Sequence, residues 1–142
     1  MKIATTIVVV VALVSMGYAG KKPAITQENL DKLRAIKLVF VDGNSESADK
    51  IREHLESQSC FALVSNKSKA DAVMSVSEEN KPGEGMQWVV ASITLTMPDG
   101  DQIWSRSKGG GGFVHSGAGM ATDNLLQDLR KDACPGWSRR SH

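Results

Sequence analysis

The chain has 142 residues, with 17 Lys+Arg against 16 Asp+Glu and 41% hydrophobic residues. That is room for one ordinary domain with its own core, and charged residues at 23% argue against wholesale disorder. A balance of +1 supplies no basic surplus for a nucleic-acid partner.

Met1-Lys2 is followed by an apolar run over residues 3–14, broken only by Thr5 and Thr6. Small residues Gly17 and Ala19 then precede Gly20. This is the pattern of a secretory signal peptide over 1–19, cleaved between Ala19 and Gly20. A membrane anchor is the alternative, but about 12 apolar residues rise only ~18 Å against a hydrocarbon core of ~30 Å. Cleavage removes one basic side chain, Lys2, and no acid, so the mature chain is expected to be neutral and unanchored. No cysteine stands at the cleavage point to carry a lipid. The expected location is the periplasm or the external medium.

Residues 20–35 read as a polar leader with a short helix, which Thr26 caps and Leu30 and Leu33 anchor. Residues 36–41 form a nearly continuous apolar run, the pattern of a central strand buried on both faces, ended by Asp42-Gly43-Asn44. Ser45 is a good helix N-cap, and Ala48, Ile51 and Leu55 recur at helical spacing over about 13 residues. Residues 61–65 supply the second strand, so strand, helix and strand make a βαβ unit with parallel pairing.

Residues 72–77 alternate as a third strand. The connection before them is too short for a helical crossover, which predicts antiparallel pairing with the second strand. Residues 78–85 are a loop by composition. Residues 86–97 are the longest strand, with Ala91, Ile93, Leu95 and Met97 alternating with Ser92, Thr94 and Thr96. Pro98-Asp99-Gly100-Asp101 is a turn, and 102–108 return as the hairpin partner. A loop over 98–101 would set Leu95 opposite Trp104 and Met97 opposite Gln102, with Ile103 pointing away from the apolar face.

Four glycines at 109–112 are expected to break the regularity. From about 117 to 133, Ala118, Ala121, Leu125, Leu126 and Leu129 trace a helical stripe that Pro135-Gly136 ends. The fold class is α+β: a two-layer sandwich with a mixed four- to five-stranded sheet, β-α-β-β-β-β-α, and two main helices on one face. The domain spans 36–134, followed by a basic tail over 135–142.

In an exported protein Cys60 and Cys134 most simply pair, with two separately buried thiols as the alternative. The pair would join the end of the first main helix to the end of the last. A loop of that size is worth about 4 kcal/mol in the chain-entropy model.

The glycine run lacks the G-x-x-x-x-G-K-[ST] spacing and follows no first strand as G-x-G-x-x-G, so it reads as a connector rather than a phosphate cradle. His115-Ser116 resembles a piece of a nucleophile site, but Val114 stands where the G-x-S-x-G elbow requires glycine. Ser116 as a helix cap and His115 on the surface is the simpler assignment. Asp99 and Asp101 lack the EF-hand spacing, and the three histidines are dispersed, so no metal and no cofactor is implied. Trp88 and Trp137 are the loose aromatics, each either packed at a sheet edge or part of a contact surface.

Val39-Phe40-Val41, Phe61-Ala62-Leu63-Val64, Ala70-Asp71-Ala72-Val73 and the hairpin Asp99-Gly100-Asp101-Gln102-Ile103-Trp104-Ser105 resemble a pattern in small bacterial envelope proteins of unknown function. Similar small α/β domains occur in the curli secretion lipoprotein and the amino-terminal domain of the Tol-system periplasmic protein. The resemblance implies a fold and an envelope setting, and it carries no catalytic residues over. This chain departs from the lipoproteins in having Gly20 where an acylated cysteine would stand.

Taken together these features predict a non-catalytic exported binding module, an envelope accessory protein with an unidentified protein partner. Contact would be through a sheet edge or the loops at 78–85 and 109–117. The alternatives are a small exported hydrolase using His115 and Ser116 with an acid from another loop, or a structural homo-oligomer.

Overall fold

The computed structural model describes residues 25–83, 86–111 and 117–137. Its elements run α1 (Gln27–Ala35), β1 (Leu38–Asp42), α2 (Glu46–Gln58), β2 (Ala62–Leu63), β3 (Ala72–Gly83), β4 (Met86–Thr96), β5 (Gln102–Gly111) and α3 (Gly117–Ala133). The five strands form one mixed sheet in the order β2-β1-β3-β4-β5, an α+β arrangement consistent with a two-layer sandwich.

The helix starts follow from local chemistry. Each first turn leaves backbone amides without a partner, and an oxygen on the preceding residue can take one. The Thr26 hydroxyl accepts from the Asn29 amide at 3.1 Å, and the Ser45 hydroxyl from the Ala48 amide at 3.2 Å. Between β1 and α2 the chain turns at Gly43, whose φ of 140° suits only glycine. A Cβ there would also stand 2.7 Å from the Val76 carbonyl oxygen, so the turn packs directly against β3.

β1 pairs in parallel with both β2 and β3. This corrects the expectation that β3 runs antiparallel to β2. Because β2 is only two residues long, the chain advances little before residues 64–71, with one 3-10 turn at Lys67–Lys69, bring it back to the start of β1. The return is fixed by Asp71. One of its carboxylate oxygens accepts the amides of Lys37 at 3.0 Å and Leu38 at 2.9 Å, while its own amide donates to the Leu38 carbonyl at 2.8 Å.

The strand over 36–41 is buried on one face, not both: Val39 and Val41 are buried, whereas Leu38 is 37% exposed. The helices cover a single face of the sheet, so the alternate residues of an interior strand still meet solvent. The expected loop at 78–85 is strand over 78–83, since β3 continues to Gly83 and pairs with β4 out to Gly83↔Met86, and 84–85 lie outside the described residues. Long-range pairing overrides the local turn preference of Pro82 and Gly83.

Leu95 does face Trp104, but Thr96, not Met97, faces Gln102, with a bulge beside Leu95 and Thr96. Ile103 is the extra residue, and both it and Trp104 are buried. A bulge turns two consecutive side chains toward one side, which the simple alternation rule misses. The core joins Val39, Val41, Met74, Ile93 and Leu95 of the sheet to Ile51, Leu55, Leu125, Leu126 and Leu129 of α2 and α3.

The Asp71 carboxyl sits below its ordinary value because two backbone amides donate to it. A depressed carboxylate stabilises the fold above the unfolded value near 3.8, and that contribution disappears as pH falls through the folded value. Asp71→Ala should therefore cost about 1 kcal/mol at pH 7 in urea unfolding. The same substitution should flatten the loss of stability below pH 4, and an unchanged acid profile would count against this tie.

Candidate functional site: the free edge of β5

The positions singled out in the sequence separate clearly. The signal segment with Ala19 and Gly20, the His115-Ser116 pair and the end of the basic tail lie outside the described residues. Cys60 and Cys134 form a disulfide, with Cα atoms 5.8 Å apart across a separation of 74 positions. Trp137 is half-buried against the core, with the Arg130 guanidinium 5.3 Å from its ring. Trp88 is 46% exposed.

Trp104 lies on the outermost long strand yet is buried, because its polar edge is satisfied. Its indole Nε1 donates to Asp132 Oδ2 at 2.9 Å, and the Arg106 guanidinium stacks 5.3 Å from the ring. Arg106 also reaches Asp132 at 3.4 Å, and Lys108 pairs with Asp128 at 3.1 Å. Both cations of β5 are therefore held inward against α3. At the hairpin end Lys32 of α1 bonds Asp101 at 3.1 Å, which raises the lysine above its ordinary value and ties α1 to the turn.

The face away from the helices carries two rows of hydroxyls, Ser77–Ser92–Ser107 and Ser75–Thr94–Ser105, read across paired strands. Ser92 and Ser107 hydroxyls are 2.6 Å apart, and Thr94 and Ser105 3.3 Å. They satisfy one another, and no acid or base stands in the rows.

The glycine run is not a break. β5 continues through it, with Val90↔Gly109, Val89↔Gly110 and Trp88↔Gly111 in register. Gly110 faces α3, where a Cβ would collide with the Gly117 carbonyl oxygen and stand 2.8 Å from the Ala121 amide. The first turn of α3 thus sits on bare backbone. Gly109 points to the open face, where a Cβ would only touch the Trp88 ring at 3.8 Å. The indole of Trp88 lies over Gly109, toward the free side of β5.

Two clefts flank this frame. One of about 180 Å³ lies between Ile25, Thr26 and Asn29 at the start of α1 and the Gln102 to Arg106 half of β5. The other, about 430 Å³, is lined by Phe40, Arg52 and Leu63 at the ends of β1 and β2. Arg52 is spent there on the carbonyls of Val41 and Gly43 and on Asp49, so it adds no free charge. Among the described residues no three of His, Cys, Asp and Glu converge on one point, and no helix is long and apolar enough to cross a membrane.

The two outer edges of the sheet differ. Edge strands are normally guarded against foreign pairing by shortness, charge, proline or bulges. β2 is two residues long. β3 loses its β1 partner after Ser75, and the open stretch carries Glu79, while Glu78 accepts the Ser47 hydroxyl of α2 at 2.6 Å. β5 has the Ile103 bulge, and Arg106 Nη1 donates to the Ser105 carbonyl at 2.9 Å, so its first half is guarded. Beyond Arg106 come only Ser107, Lys108 and glycines, with Lys108 drawn inward. Among the described residues this stretch carries no outward charge, Gly109 being exposed and Gly110 buried, and sequence reasoning missed it by ending the strand at Lys108.

No family model matches the chain, and no curated protein matches it. Among solved structures, an uncharacterized lipoprotein B from Nitrosomonas europaea, determined by solution NMR, is a weak neighbour. It has 12% sequence identity and a TM-score of 0.38, covering 82% of this chain and 84% of that one.

Two stability outcomes follow. Gly110→Ala should destabilise the fold by about 1–3 kcal/mol through overpacking, while Gly109→Ala should be close to neutral in the same thermal melts. Removing the disulfide as the double Cys60→Ser, Cys134→Ser variant should cost about 2–5 kcal/mol in denaturant unfolding.

Proposed function

We propose that this chain is a non-catalytic exported module of the bacterial envelope that acts by protein–protein contact through the free edge of β5. The observation that carries it is the contrast between guarded and unguarded strand. Where β3 is open it carries Glu79, whereas β5 beyond Arg106 is Ser107, Lys108 and glycines, with Lys108 paired to Asp128 of α3. Main-chain pairing with an added strand needs only such an edge. The amino-terminal pattern and the Cys60–Cys134 bond both suit an oxidising compartment.

The site can be read in living cells. A photo-crosslinking residue at Ser107 should give discrete protein adducts in the native envelope, and one at Glu53 on the outer side of α2 should not. Adducts from Ser107 should also vanish in the Gly109→Lys background, which places a charge on the edge without a backbone clash. Equal labelling from both positions, or none from Ser107, would overturn the proposal.

A further inference from the structure

We infer that the Cys60–Cys134 bond is a site of thiol–disulfide exchange with a protein dithiol, and that the exchange has a direction. The partner's sulfur joins Cys60, and Cys134 is the sulfur that leaves. This goes beyond the contact edge of β5 and does not depend on it.

In such an exchange a thiolate attacks one sulfur and the other departs with the electron pair, so access and charge at the two sulfurs set the direction. Access differs here. Cys60 lies exposed in the bend between α2 and β2, whereas Cys134 is 6% exposed and belongs to the core. A thiol carried by another protein therefore meets Cys60 first.

Charge points the same way. The Cys60 amide is aimed at Cys134 Sγ from 3.2 Å, and can donate to a thiolate formed there. Cys60 Sγ instead has the Ala133 carbonyl oxygen at 3.9 Å, whose negative end disfavours an electron pair left on that sulfur. Cys134 is thus the better leaving sulfur, and the exposed one is open to attack.

Both flanks are held by bonds that do not involve sulfur. Ser59 is buried, and its hydroxyl donates to the Leu55 carbonyl and accepts the Phe61 amide. At the end of α3 the Cys134 amide donates to the Arg130 carbonyl at 2.9 Å, and the Trp137 amide to the Cys134 carbonyl at 3.1 Å. Opening the bond therefore leaves two sulfurs on pinned backbone, poised to close again within the chain.

In the reducing direction a partner thiolate bonds Cys60 Sγ, the Cys60–Cys134 bond breaks, and its electron pair goes to Cys134, which takes up a proton. The partner's second thiol then attacks the partner sulfur of the mixed disulfide and releases Cys60 as a thiol. Two electrons and two protons pass to this chain, and the partner dithiol becomes a disulfide. Oxidation retraces the path, with Cys134 as the resolving thiol.

Reduced thioredoxin whose second active-site cysteine is serine halts exchange at the mixed disulfide and serves as the probe. Mixed with the folded, oxidised mature chain, quenched in acid and alkylated with N-ethylmaleimide, it should be found by peptide mass spectrometry on Cys60, with maleimide on Cys134. Adduct on Cys134, or on both alike, would overturn the direction; no adduct would overturn the exchange site. In the single-thiol variants, Cys134→Ser should react with dithiodipyridine about tenfold faster than Cys60→Ser, and the two rates should converge in urea. Equal rates in the folded variants would also overturn the direction.

Discussion

The Asp71 carboxylate ties the entry of β3 to the entry of β1. By accepting the amides of Lys37 and Leu38 it occupies donors at the entry to β1 and places Ala72 beside Val39. β1 is flanked on both sides, β2 is a two-residue rim, and the hairpin series of β3, β4 and β5 extends the sheet in one direction only. The contact thus lies at the opposite end of the sheet from β5, the far edge strand. The Ala-Asp-Ala-Val segment that resembles envelope proteins has a structural meaning here: it is the clasp of the parallel pair.

The element order was legible because α1 and α2 carry their own start signals and α2 and α3 their apolar stripes. Thr26, Ser45 and the Leu125, Leu126, Leu129 series act within a turn or two, and local rules read them correctly. What sequence reading missed was decided by distant partners. Residues 78–83 look like a loop until β4 supplies a full row of backbone bonds. Residue 103 looks outward until a bulge turns it in. The run over 36–41 looks buried on both faces, but a chain with helices for one face leaves Leu38 and Phe40 on the other. The free edge was partly legible: a sheet-edge contact could be anticipated, but the glycines that form it read as flexible linker.

Those glycines satisfy two constraints at once. Gly110 lets the first turn of α3 lie against β5, and this contact helps seat the buried face of α3, with Ala121, Leu125 and Leu129, over β4 and β5. Gly109 and Gly111 face the other way and leave the edge bare beside Trp88. Alternation along a strand separates these demands by single residues, so a run of glycines meets both where one glycine could not. The cost is backbone entropy, and the neighbouring indole partly offsets it by covering the bare strand.

A flat edge of this kind is a hazard in most proteins, and natural sheets remove it with inexpensive devices. This chain uses several of them elsewhere: a very short β2, the charge of Glu79 along β3, and the bulge in the first half of β5. Its second half has two cations suitable for the same purpose nearby, Arg106 and Lys108, yet Asp132 and Asp128 hold both on α3. Each of those acids lies on the helix that Gly110 admits to the sheet. The close approach of α3 thus has an electrostatic consequence as well as a packing one. It brings carboxylates within reach of the lysine and arginine of β5 and draws both charges toward the helix, away from the outer side of the strand.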